Sequence, residues 1–218
     1  MSSKLRRINL GVNCYLLQGE TGFVLVDTGP AFARRRLVRE LELVGCRSCD
    51  LNLVVITHAD ADHIGNCNWL REHYDAKLAA HEAEAEALRT GSMEGNRKQN
   101  PDRIPWFLRL LIPAGKRFAN PQPVEIDILL EDGGSLAPYG LDASIVHLPG
   151  HSKGSIGVLT GEGDLVCGDL LWNVVRPRLH PFIDDLGTAK ASLEKIRSLP
   201  VKTIHPGHGR AFPIEKLP

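Results

Sequence analysis

Thr57-His58-Ala59-Asp60-Ala61-Asp62-His63-Ile64-Gly65 places two imidazoles and two carboxylates within six residues. The apolar run Leu51 to Ile56 leads into this stretch, and a helical pattern from Ile64 to Tyr74 leads out of it. Any one of the four polar residues alone reads as a solvated side chain. Together, in a loop between a buried strand and a helix, they read as metal ligands held on a rigid base. Imidazole nitrogen and carboxylate oxygen are donors that suit zinc and its first-row neighbours.

Three later stretches share the context of a strand ending, a glycine opening the turn and a His or Asp nearby. They are Pro149-Gly150-His151, Gly168-Asp169 and Pro206-Gly207-His208. Glycine permits a tight turn and close approach to a bound ion. With the first cluster they give the candidate ligands His58, Asp60, Asp62, His63, His151, Asp169 and His208, enough for two divalent cations.

Working outward, Leu5 to Leu10, Val12 to Gln18 and Phe23 to Val26 read as short strands, the last ending in Asp27-Thr28-Gly29-Pro30. Phe32 to Val44 reads as a helix with Leu37, Leu41 and Val44 on one face. Ala76 to Ala80 follows as a strand and Glu82 to Arg89 as a helix. Residues 90–123 break this rhythm with a polar run, then apolar bulk around Trp106 between prolines. A segment so long reads as a lid or inserted binding loop. Strands resume at Val124 to Leu130, Ala143 to Leu148, Ser155 to Thr160 and Asp164 to Cys167. Thr188 to Leu199 reads as a helix and Val201 to Ile204 as a last strand. Two β-rich halves, each covered by helices, make an α/β chain with a four-layer αββα sandwich over residues 1–218.

These residues resemble the metallo-β-lactamase superfamily along nearly the whole chain: Asp27-Thr28-Gly29, the His58 to His63 motif, His151, Asp169 and His208 occur in the family's order. The resemblance implies that His58 and His151 bind a first metal, that Asp62, His63 and His208 bind a second, and that Asp169 bridges both. Asp27 would brace the ligand loop from behind. One position departs from the pattern: Asp60 stands where the family usually has a middle imidazole. A carboxylate is a harder donor and adds negative charge, which tilts the first site from zinc towards manganese or iron.

The resemblance also implies hydrolysis by a metal-activated water, with Asp62 as the catalytic residue that orients it and shuttles a proton. The apolar segment around Trp106 points to a small ester, thioester or lactone as substrate, with Trp106, Arg176 and His180 as candidate contacts. A phosphodiesterase or nuclease on the same scaffold would need a basic groove, which Arg97, Lys98, Arg103, Arg109, Lys116 and Arg117 would have to form. A mononuclear iron oxygenase of a sulfur substrate and a non-catalytic metal-bound binding protein are the other readings.

Lys+Arg and Asp+Glu both number 26, so the net charge is zero with His neutral. No global field steers such a chain to nucleic acid or anionic lipid, and a small-molecule substrate is expected. There is no charged-then-apolar leader and no run long enough to span a bilayer, so the expected compartment is the cytoplasm. Five scattered cysteines, including Cys46-Arg47-Ser48-Cys49, read as reduced thiols and not a disulfide framework.

Overall fold

The computed structural model describes residues 4–92, 97, 102 and 122–218. Strands β1 (Lys4–Asn9), β2 (Asn13–Gln18), β3 (Phe23–Val26), β4 (Leu51–Val55), β5 (Lys77–His81) and β6 (Ile128–Leu130) form one sheet in that order. β1 to β3 are antiparallel neighbours, and β3 to β6 are parallel. Parallel neighbours need crossover connections. Helix α1 (Arg34–Leu43) supplies the first, and α2 (Ala61–Ile64) with α3 (Cys67–Tyr74) supplies the second. Helix α4 (Glu82–Thr90) follows β5.

A second sheet is built from β7 (Ala143–His147), β8 (Ile156–Thr160), β9 (Asp164–Val166), β12 (Thr203–His205) and β14 (Phe212–Pro213). Its spatial order is β14-β12-β9-β8-β7. A small third sheet joins β10 (Leu171–Asn173) to β11 (Arg178–Leu179) on one side and β13 (His208–Gly209) on the other. Helix α5 (Leu186–Ser198) follows, with the Asp185 carboxylate accepting from Thr188 N–H at its start.

The period of two along the strands sorts the core into three apolar clusters. Cys14, Leu16, Leu25, Val54 and Leu78 face Leu37 and Leu41 of α1, Leu70 of α3 and Leu88 of α4. Tyr15, Leu17, Val24, Val26, Leu53 and Val55 face Ile145, Ile156, Val158 and Val166 of the second sheet. Val146, Leu148, Leu165 and Ile204 face Leu193 and Ile196 of α5. Three clusters separate four layers, so the expected αββα sandwich is the fold. Each fully buried aliphatic side chain contributes about 2 kcal/mol, and the central strands β2, β3, β4 and β8 are held chiefly by such residues.

Several boundaries differ from the sequence reading. The helix expected from Ile64 to Tyr74 is split at Gly65-Asn66. The Asn66 amide donates to the carbonyls of Thr28, Gly29 and Pro30, and a Cβ on Gly65 would collide with Ala31 N. The strand expected over Val124 to Leu130 shrinks to Ile128–Leu130. The Asp127 carboxylate takes the Leu78 N–H that a longer ladder would have used. The start of the helix expected at Phe32 is a 3-10 turn, Ala31–Ala33, with Phe32 exposed. Most of the segment expected as a lid (93–96, 98–101 and 103–121), Trp106 included, lies outside the described residues. All five cysteines are free. Among the described residues no helix is long and apolar enough to cross a membrane.

Candidate metal centre

The first ligand loop begins where β4 ends. Asp27, at the end of β3, adopts a left-handed backbone (φ 59°) and aims its carboxylate under that loop. Its Oδ1 accepts from Thr57 N–H at 2.8 Å, and its Oδ2 from Thr57 Oγ1–H at 2.8 Å. The same Oδ2 lies 2.8 Å from His63 Nδ1. A carboxylate on Nδ1 fixes the proton there and leaves the Nε2 lone pair free to bind. Thr28 completes the clamp: its N–H and its hydroxyl both donate to the His63 carbonyl, at 2.7 and 2.9 Å.

The other loops come from the second half of the chain. Gly150, at φ 138°, lets His151 turn beneath α5, and the Gly150 carbonyl accepts from Asp184 and Asp185 N–H. Gly168, at φ 51°, presses against Thr57 and delivers Asp169. Gly207 N–H donates to the Gly168 carbonyl at 2.8 Å, tying the His208 loop to Asp169. β13 pairs with β10 so that His208 stands opposite Trp172.

These loops converge. The donor atoms of His58, His151 and Asp169 lie within 4.8 Å of one another, as do those of Asp62, His63 and His208 and those of Asp169, His180 and His208. His208 Nε2 is 3.3 Å from Asp169 Oδ2 and 3.5 Å from Asp62 Oδ2. His63 Nε2 is 3.6 Å from Asp169 Oδ1, and His180 Nε2 is 3.4 Å from Asp169 Oδ2. Two donors at about 2.1 Å from a tetrahedral ion stand about 3.4 Å apart, so these spacings fit a cation. Buried polar atoms normally find partners, yet His58 Nε2, His63 Nε2 and Asp169 Oδ1 are buried without one. Orphaned donors facing one another are what a cation site requires.

The electrostatics agree. Burial opposes charge on Asp169, but His180, His208 and His63 outweigh it and hold the carboxyl well below its usual range. Asp62 is lowered despite burial, by His63 and His208. Burial would depress His208, but Asp169 and Asp62 push it up to about 10. Burial and Arg97 drive His151 down to about 3, and burial takes His180 to about 4 against the pull of Asp169, so both are neutral imidazoles at neutral pH. Asp62 alone in this group faces solvent substantially, with 47 % of its side chain exposed against 4 % for Asp169.

Asp60 behaves differently from the other carboxylates. Both its oxygens lie 3.0 Å from Arg97 Nη1, and its Oδ2 is 3.1 Å from His151 Nε2 and 3.6 Å from His58 Nε2. Arg97 was expected only as a member of a basic groove; it turns inward instead. Its selection was not legible, because an extra carboxylate at position 60 calls for a cation without saying which of several nearby supplies it. Glu84 on α4 was also missed. It is fully buried and accepts from Ala59 N–H at 2.9 Å, Ser152 Oγ–H at 2.7 Å and Gly154 N–H at 2.9 Å, so it joins the two ligand loops. Nothing in its helical spacing separates it from Glu82 or Glu86.

Of the candidate substrate contacts, His180 joins the donor cluster, its ring 5.0 Å from that of His151. Arg176 is exposed and belongs to none of the three donor groups. Cys167 packs in the core with its thiol pushed up to about 12 by burial, and it is no ligand.

The family model described as the metallo-beta-lactamase superfamily matches residues 7–208. An acyl-coenzyme A thioesterase, MBLAC2 of Bos taurus, is 28 % identical over 225 residues, covering 94 % of this chain and 75 % of its own. A hydroxyacylglutathione hydrolase of Aeromonas hydrophila is 25 % identical over 190 residues, covering 87 % of this chain and 58 % of its own. Among solved structures, the di-iron-bound form of TTHA1623 superposes with a TM-score of 0.71 at 25 % identity, covering 96 % of each chain.

Proposed function

The chain belongs to the metallo-β-lactamase superfamily of metal-dependent hydrolases, and on that premise we propose that it hydrolyses a small thioester. The observation that carries the hydrolytic reading is the ring of orphaned donors, His63 Nε2 and Asp169 Oδ1 among them, beside a solvent-facing Asp62. The thioester is supported by the names of the bovine and Aeromonas relatives, whose substrates are thioesters in both cases.

His63, His208, Asp62 and Asp169, with His180 beside them, are the residues that would hold the cation, and their nitrogen and oxygen donors suit zinc, with iron and manganese as alternatives. Bound there, a divalent cation lowers the proton affinity of water and draws charge from a carbonyl oxygen. The chain's own residues do the rest. Asp27 keeps the His63 proton on Nδ1, so its Nε2 faces the site as a lone pair. Asp62, exposed enough to exchange protons with solvent, accepts the proton of the attacking water on its carboxylate. Water adds to the thioester carbonyl carbon, the carbon–sulfur bond breaks, and the departing sulfur takes the proton back from Asp62. Ser152 takes no covalent part, because its hydroxyl is committed to Glu84 and Ser155.

The test is thiol release from acyl-coenzyme A and acylglutathione substrates, alongside lactone and phosphodiester probes. Thioester turnover that is lost on chelation, restored by zinc and abolished in His63→Ala is the expected result. Faster turnover of a lactone or phosphodiester would replace the substrate assignment.

A further inference from the structure

The structure assigns the first half-site to an arginine: we propose that Arg97, paired with Asp60, takes the place of one cation, so that the chain holds a single metal ion at the Asp62, His63, His208 and Asp169 donors. The Arg97 guanidinium is bound on all sides. Its Nη1 donates to both Asp60 oxygens at 3.0 Å, its Nε lies 3.0 Å from Asp184 Oδ2, and its Nη2 donates to the Phe182 carbonyl at 3.1 Å. Only 14 % of the side chain is exposed. Nη1 also lies 2.8 Å from His151 Nε2. A guanidinium has donors and no acceptor, so at that contact the His151 lone pair is the accepting partner.

An ion ligated by His151 Nε2 would sit about 2.1 Å along the same lone pair, in the space Nη1 fills. Charge argues the same way. The imidazole usual at position 60 would leave the half-site in need of a cation, whereas a carboxylate there, with Asp184 behind, receives a fixed one from Arg97. Arginine suits the task because its charge is permanent and its planar fork satisfies several acceptors at once. The remaining cage, where His63, His208, Asp62 and Asp169 approach to between 3.3 and 4.0 Å, has no guanidinium or ammonium paired to it among the described residues.

This inference rests on the metal-dependent reading and is separable from it by counting ions. The chain is dialysed against zinc, and bound metal is measured by mass spectrometry and by calorimetric titration. One ion per chain is expected for the wild type, and two for the double variant Arg97→Met/Asp60→His, which removes the guanidinium and supplies an imidazole. Two ions in the wild type would overturn the inference and leave the hydrolase reading standing. No ion would overturn both. One ion in both proteins would also overturn it, since Arg97 would not then be what excludes the second. Titration of the wild type with cobalt, saturating at one equivalent by its visible absorption, decides the count even where the double variant fails to fold.

Discussion

Glu84 carries more of the site than its place on an ordinary-looking helix suggests. Its carboxylate satisfies an N–H on each ligand loop and the Ser152 hydroxyl, all away from water. Glu84→Ala would orphan those donors at about 1–3 kcal/mol each; a net loss of about 3 kcal/mol in urea unfolding is expected. Competition with a chromogenic chelator should also show metal affinity down about 10- to 100-fold. Asp27→Asn isolates the other brace. Asparagine tolerates the left-handed backbone that Asp27 adopts, so the fold should persist, yet the Nδ1 partner of His63 loses its charge. Metal affinity is again expected to fall about 10- to 100-fold, and an unchanged dissociation constant would remove Asp27 from the scheme. The polar residues of the motif could be read from spacing because they sit together in a loop. Arg97 and Glu84 could not, since their partners are distant in sequence and their own neighbourhoods carry many similar charges.

The elements that position the site depend on close approach at two glycines. A methyl at Gly207 would strike Asp169 Oδ1 and come within 3.0 Å of His63 Cε1. Gly207→Ala should therefore keep the far-ultraviolet circular dichroism of the native chain while losing the ion. At Gly150 a methyl would stand 2.6 Å from Ala189 Cβ on α5, at a φ of 138° that disfavours side chains. Gly150→Ala should cost about 3 kcal/mol and lower the melting temperature, because α5 must lift from its sheet. The large sheets, apart from the two-residue edge strand β14, and four of the helices were legible, since alternation and helical periodicity persist over enough residues to register. The third sheet was not. Arg178–Leu179 and His208–Gly209 are too short for any period, and their pairing is set by where Asp169 and Gly207 are pinned.

Across the molecule, the donors divide between the two halves: His58, Asp62 and His63 come from the first, and His151, Asp169, His180 and His208 from the second. The metal-free chain should have its greatest stability near neutral pH. His151 and His180 are neutral when folded, with values of about 3 and 4 against 6.5 unfolded. The unfolded chain therefore takes up their protons as pH falls below about 6.5, and stability drops by up to about 1.4 kcal/mol per pH unit for each. His208 acts in the opposite direction: raised to about 10, it contributes stability in full below about 6.5, which is lost as pH climbs through 10. Urea midpoints measured in chelator across this range should trace a dome, and a monotonic rise with pH would contradict the charge arrangement.

The line where the halves meet is stitched by Asn13 and Tyr15 of β2, whose side chains donate to the Pro206 carbonyl at 2.9 and 2.7 Å. Ile156 N–H reaches the Thr57 carbonyl across the same line at 3.0 Å. A cation gripped from both banks becomes a rivet. Amide exchange at Asn13 and Ile156 should slow when it is added, and Tyr15→Phe, which removes the hydroxyl that holds the Pro206 carbonyl two residues before His208, should loosen its hold.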